Sequence, residues 1–250
     1  MILAVLLALT GVGTSVLLLT HLRGRKEASL PLALRGWDFL VAAVFWLGTP
    51  VFWMAAVRVH ENQAHPVSLL MVALGAVLAW AWLGFRSRVL WPVADGDPVP
   101  WSWGIRCAIA SAPGFFSMAY CASVVGEWWA GGPVQQEVVA GFHELPWPLP
   151  IPSFLLAVLI LPILEEVLFR GWLWGFLTSS KDFGPRRALL LTTLAFPLAH
   201  EPVAWLPILF LGGVLGWVRW QSGKLRHVIL LHVLYNGVGS LLALTQDSSP

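Results

Sequence analysis

The sequence predicts an all-α fold: a polytopic transmembrane bundle of about eight helices, with polar residues buried between the C-terminal ones. Three observations carry this. The 250 residues are 58% hydrophobic and 11% charged, with a mean hydropathy of +0.75, whereas about 25% of residues are charged in soluble domains. The apolar residues fall into runs of spanning or near-spanning length. All but two of the 15 lysines and arginines fall on one side once those runs are threaded through a bilayer.

The runs cover roughly 2–21, 37–57, 67–85, 107–125, 150–178, 188–200, 203–220 and 227–244. The first starts at Ile2 with no basic residue before it and is followed by Arg23, Arg25 and Lys26. It therefore reads as an uncleaved helix whose N-terminus is outside, not as a signal peptide. Segments 22–36, 86–106, 181–187 and 219–226 then fall in the cytoplasm. Arg58 is left outside and Arg170 within the membrane, and both termini are expected outside. The fourth run contains Ala108, Ser111, Ala112 and Ser117, small enough for close helix contact. Pro197, Pro202 and Pro207 interrupt the sixth and seventh, which should be kinked or incomplete spans.

Segment 126–149 is expected to be the longest external loop, with Glu127, Glu137 and Glu144, no basic residue, and tryptophans suited to the interface. Composition shifts at 86–106 and 126–149 separate an N-terminal part, 1–149, from a helical core, 150–245. A polar tail without a lipidation signal, 246–250, follows. Cys107 and Cys121 share a predicted helix about 21 Å apart and cannot bridge each other. No Cys-x-x-Cys or haem-attachment spacing occurs, so redox chemistry is not expected, and neither is a nucleic-acid partner.

The chemistry centres on Leu164-Glu165-Glu166-Val167-Leu168-Phe169-Arg170, inside the otherwise apolar run from Pro150 to Leu177. One charge near a bilayer centre costs about 2.5–3.5 kcal/mol on insertion scales, so three need partners or a watery cavity. Glu166 and Arg170 are four apart and can pair on one face. Glu165 lies about 100° away around the helix and is the better candidate for the reacting group. His200 closes the sixth run. His232 and Asn236, again four apart, share a face of the eighth. Counted from the nearest cytoplasmic basic residue, these groups lie roughly 9 to 24 Å deep, compatible with one site within the membrane.

Two readings of that set stay open. A carboxylate beside an imidazole can orient a water and take its proton, while another imidazole and an amide donate to an oxyanion. Alternatively, Glu165, His200 and His232 form a two-histidine, one-carboxylate set that could bind zinc and leave a position for water.

Glu-Glu-x-x-x-Arg at 165–170, Phe-x-x-x-His at 196–200 and His-x-x-x-Asn at 232–236, in that order in successive apolar segments, resemble the CPBP family. That family comprises the type II CAAX prenyl endopeptidases and the bacteriocin-processing or self-immunity proteins. The resemblance covers roughly 150–245. It implies an integral-membrane endopeptidase, metal-dependent or metal-free, acting on a membrane-embedded or membrane-associated protein or peptide. It further implies Glu165 as base or metal ligand, His200 as helper of the water, His232 and Asn236 as oxyanion donors, and Glu166 and Arg170 as support. Two competing expectations are a non-proteolytic immunity or scaffold protein of the same family and a proton-coupled carrier. The absence of an internal repeat argues against the carrier. Other intramembrane protease motifs are missing: no His-Glu-x-x-His and no Gly-x-Ser-Gly occurs, and Asp95-Gly96-Asp97 follows alanine in a polar loop.

Overall fold

The computed structural model describes residues 2–22, 99–132, 150–179 and 183–245, together with 41, 44, 78 and 82. Apart from those four residues, the expected helices at 37–57 and 67–85 lie outside the described residues, as do the Asp95–Asp97 turn, most of the 126–149 segment and the tail 246–250.

Every long element among the described residues is helical. We label them α1 (Ile2–His21), α2 (Trp101–Ala130), α3 (residues 150–179), α4 (Pro185–Ala195), α5 (Trp205–Ser222) and α6 (Leu225–Thr245). Two short 3₁₀ turns, Phe196–Ala199 and Pro202–Ala204, join α4 to α5. Among the described residues, four helices are long and apolar enough to cross a membrane: 3–21, 101–130, 202–222 and 225–242. The architecture is that of a multi-pass membrane protein.

α1 turns most of its leucines outward and buries a stripe of Ala4, Ala8, Gly11, Ser15 and Leu19. Lipid tails are as apolar as leucine, so small residues and backbone contacts drive association here. The stripe lies on α2 where Pro113 interrupts that helix. The Gly114 N–H donates to Ser15 Oγ at 2.7 Å. Gly11 faces the Pro113 carbonyl and Ser117 so closely that a Cβ would overlap both. The small residues expected in the fourth run thus make contact within the chain. Ser111 does so as well, its hydroxyl lying 2.8 Å from that of Tyr235 on α6.

α2 runs from Trp101 to Ala130, not 107 to 125, so Arg106 and Glu127 sit on the helix and not in the flanking loops. Pro100, extended at ψ 151°, sets its start. Gly131, at φ 72°, returns its N–H to Glu127 and ends it. Both charged side chains can snorkel toward headgroups. Cys107 and Cys121 are buried and unbridged.

One end of the bundle ties several elements together. Trp103 Nε1 donates to the Leu22 carbonyl at 2.7 Å, and Arg226 donates to the Val99 carbonyl at 2.7 Å. The Trp103 ring stacks on Trp217. The end of α1, the start of α2, the end of α5 and the start of α6 therefore lie together, as alternate threading of the runs requires.

The fifth run forms one helical rod, but not a uniform α-helix. Leu156–Ile160 and Val167–Leu173 are wound in π turns, with i→i+5 hydrogen bonds. α4 is too short to span. With its 3₁₀ continuation and the extended His200 (φ −127°, ψ 163°) it forms the expected proline-interrupted segment.

Candidate active site

Glu166 and Arg170 are fully buried side chains in the middle of α3. Arg170 Nη1 donates to Glu166 Oε1 at 3.1 Å, the pairing that their spacing predicts. Arg170 Nη2 donates to the Gly212 carbonyl of α5 at 3.0 Å, tying the pair to a second helix. The guanidinium also rests on the Phe196 ring, 4.2 Å from its centroid, where the negative ring face attracts a cation. The π turns begin at Val167, between the two partners, and do not separate them.

His232 reaches the pair from α6. Its Nδ1 lies 2.8 Å from Glu166 Oε1. A carboxylate can only accept, so Nδ1 carries the proton in that bond. The other nitrogen, Nε2, faces Glu165 Oε2 at 3.7 Å, beyond direct hydrogen-bond reach. Glu165 is 13% exposed, whereas Glu166 and Arg170 are 0% and His232 is 1%. Glu165 is therefore the member of the group with a path outward, consistent with its placement off the Glu166–Arg170 face.

Asn236 lies one turn beyond His232 and donates from Nδ2 to the Ala157 carbonyl at 3.1 Å. That carbonyl is orphaned by the sequence. The Leu161 N–H reaches back to Leu156 and not to Ala157. The next residue, Pro162, has no N–H to offer. One amide proton of Asn236 satisfies the acceptor and the second remains available.

His200 joins the group through Phe196. The Phe196 ring is fully buried and lies 5.0 Å from the His200 ring, 5.6 Å from that of His232 and 5.2 Å from that of Phe169. His200 Nδ1 lies 3.1 Å from the Phe196 carbonyl, so Nδ1 is the donor and Nε2 carries the lone pair in the neutral ring. The Trp205 indole donates to the His200 carbonyl at 2.9 Å and fixes the extended turn.

The structure thus brings Glu165, Glu166, Arg170 and His232 into contact and links His200 to them through one aromatic ring. Asn236 is anchored on the same rod. Sequence reading does not single out Gly212, whose carbonyl accepts from Arg170 and whose Cα lies against Phe196 and Arg170. A glycine in an apolar helix gives no signal of that bond. Among the described residues, no three His, Cys, Asp or Glu side chains are grouped so as to hold a metal ion. In this arrangement Glu165, His200 and His232 are not grouped as a zinc site would need.

Residues 147–238 match the family model described as Rce1-like, type II CAAX prenyl endopeptidase Rce1-like. All six site residues lie within that range, and the resemblance expected over 150–245 is borne out there. Over 103 residues, 40% of the chain, the sequence is 28% identical to the UPF0177 protein YxdF of Lactococcus lactis subsp. lactis (strain IL1403). The aligned region covers 55% of that relative, so the chain spans about half its length. No solved structure matches the chain.

Proposed function

We propose, from the premise of that similarity to a type II CAAX prenyl endopeptidase family, that the chain is an integral-membrane endopeptidase acting on a membrane-associated protein or peptide. One observation supports this above the others: Glu166, Arg170 and His232 converge at near-zero exposure inside a membrane bundle, and Glu165 beside them alone reaches outward. Burying such a set in an apolar bundle is costly.

In this reading Glu165 removes a proton from water, with the unprotonated Nε2 of His200 helping to orient it. The water oxygen bonds to the peptide carbonyl carbon. The resulting oxyanion accepts from the second amide proton of Asn236 and from His232, whose Nε2 must also be protonated to donate. The carbon–nitrogen bond then breaks, and the proton held by Glu165 passes to the leaving amine. Glu166, fixed by Arg170, orients the imidazole of His232 as a buried carboxylate does in other hydrolases. Both termini are proposed to lie outside, on the side away from the cytoplasm, on the strength of the basic-residue asymmetry.

A second reading, a non-proteolytic immunity or scaffold protein, draws on the bonds Arg170–Gly212 and Asn236–Ala157, which also tie helices together. Protein termini in membranes carrying the wild-type chain, compared with Glu165→Gln at matched expression, separate the two. New termini with wild type alone establish proteolysis and identify the substrate. Identical termini, with the variant inserted and a control cleavage detected, select the second reading.

A further inference from the structure

The two π segments of α3 share a feature that helix geometry alone does not explain. In each, the helix passes over one backbone carbonyl, and a side chain from another helix takes it. In the first, the carbonyl is that of Ala157 and the donor is Asn236. In the second, the Trp174 N–H bonds to the carbonyls of Phe169 and Gly171 and passes over Arg170. Arg219 Nε of α5 donates to that Arg170 carbonyl at 2.9 Å. The same guanidinium donates through Nη1 to the carbonyl of Gly223. Gly223, at φ 66°, ends α5 and leads into α6, the helix that carries His232.

Arg219 is therefore bonded to the main chain of the residue whose side chain holds Glu166, and to the turn entering the helix of His232. A π turn is less favourable than an α turn and persists where its surroundings hold it. The fork of a guanidinium can serve two carbonyls at once, which an ammonium on a flexible stem does less well.

We propose that Arg219 is a positioning residue of this site: through the Arg170 carbonyl it holds the π segment 167–173 in the phase that keeps Arg170 on Glu166, the carboxylate that holds His232. This rests on the endopeptidase reading for its effect on rate, but not for its effect on structure.

The test uses the full chain in lipid nanodiscs as wild type, Arg219→Gln and Arg219→Lys, with the exposed Arg186→Gln as control. Rates are measured on a fluorogenic peptide built around a terminus that wild type produces and Glu165→Gln does not. Hydrogen–deuterium exchange is followed in peptides covering 167–178. Arg219→Gln is expected to lower kcat about 10²-fold, the scale of an ångström of misplacement, with KM changed by less than about twofold. Exchange in 167–175 should quicken. Arg219→Lys should restore part of the rate and part of the protection, and Arg186→Gln neither loses rate nor exchanges faster. A kcat within about threefold of wild type for Arg219→Gln overturns the proposal, as does a rate loss without faster exchange. If Arg219→Gln does not insert, the lysine variant decides by the same two readouts. If wild type cleaves nothing, the endopeptidase reading fails, and exchange alone decides: quickened exchange upholds the clamp and unchanged exchange removes it.

Discussion

Replacing Arg170 by methionine tests how the buried charges are balanced. Arg170 and Glu166 are both fully buried. Glu166 Oε2 already has no hydrogen-bond partner, so without Arg170 the carboxylate keeps only His232. Removing one member of a buried ion pair costs about 3–5 kcal/mol, and the lost contact with Phe196 adds about 1–2 kcal/mol. The double variant Glu166→Gln/Arg170→Met removes both charges at similar volume, a change that is often nearly neutral. Glutamine still offers an oxygen to His232 Nδ1. The Gly212 carbonyl loses its donor in both Arg170→Met backgrounds, so that loss cancels in the cycle. The expected result is a large single-variant loss, of which the double variant recovers at least about 2 kcal/mol. Reversible unfolding of the four proteins in mixed micelles gives the numbers. A loss under about 1 kcal/mol for Arg170→Met refutes the reasoning, as does additivity within about 0.5 kcal/mol.

Other outcomes are equally specific. Gly11→Ala forces α1 off the Pro113 carbonyl and should destabilise by about 1–3 kcal/mol. Gly13→Ala meets nothing within 4 Å and should be neutral or gain up to about 1 kcal/mol from helix propensity; thermal melts of the two should move apart. Asn236→Leu should cost about 1–3 kcal/mol by stranding the Ala157 carbonyl. Pro162→Ala supplies an N–H to this stretch of the rod, so Asn236→Leu should cost less in that background, a difference that the same unfolding assay reads. Glu165→Gln should insert and melt like wild type while losing cleavage, and a variant that still cleaves at wild-type rate removes Glu165 as the base.

Much of the site follows from helical arithmetic. Glu166 and Arg170 pair, and His232 and Asn236 share a face, because residues four apart are neighbours on any helix close to 3.6 residues per turn. The same arithmetic sets Glu165 apart, and it is the more exposed acid. What one helix cannot reveal is its neighbour's choice of partner. His232 bonds to Glu166 and only approaches Glu165, because α6 meets α3 at a rotation set by packing. Phe196 is legible as an apolar residue, but not as the ring joining Arg170, His200 and His232. Pro162 carries a readable signal, a missing N–H, yet the carbonyl it strands and the amide that answers it belong to different helices. Helix ends shifted for a simpler reason: hydropathy marks where apolar residues stop, whereas Pro100 and Gly131 mark where the backbone can stop, and at Arg106 and Glu127 these differ.

The two π segments also change what the length of α3 means. Each adds about one residue to a turn, so side chains beyond it are set back by roughly 100° from where a uniform helix would carry them. The head of the rod can keep Ile151, Leu155 and Leu159 toward lipid while its middle turns acids inward and its tail buries Trp174. Span and phase are thereby uncoupled. Deleting one residue from 167–173 would shorten the rod by less than 2 Å at about 1.5 Å per residue, an amount a bilayer absorbs by tilt. Such a deletion would let the turn relax to α and keep Glu165, Glu166 and Trp174 in the same relative phase, whereas winding all seven residues as α would swing them apart by about a quarter-turn. For this helix the extra residue and the π winding belong together, and losing the winding alone is what would ruin the alignment.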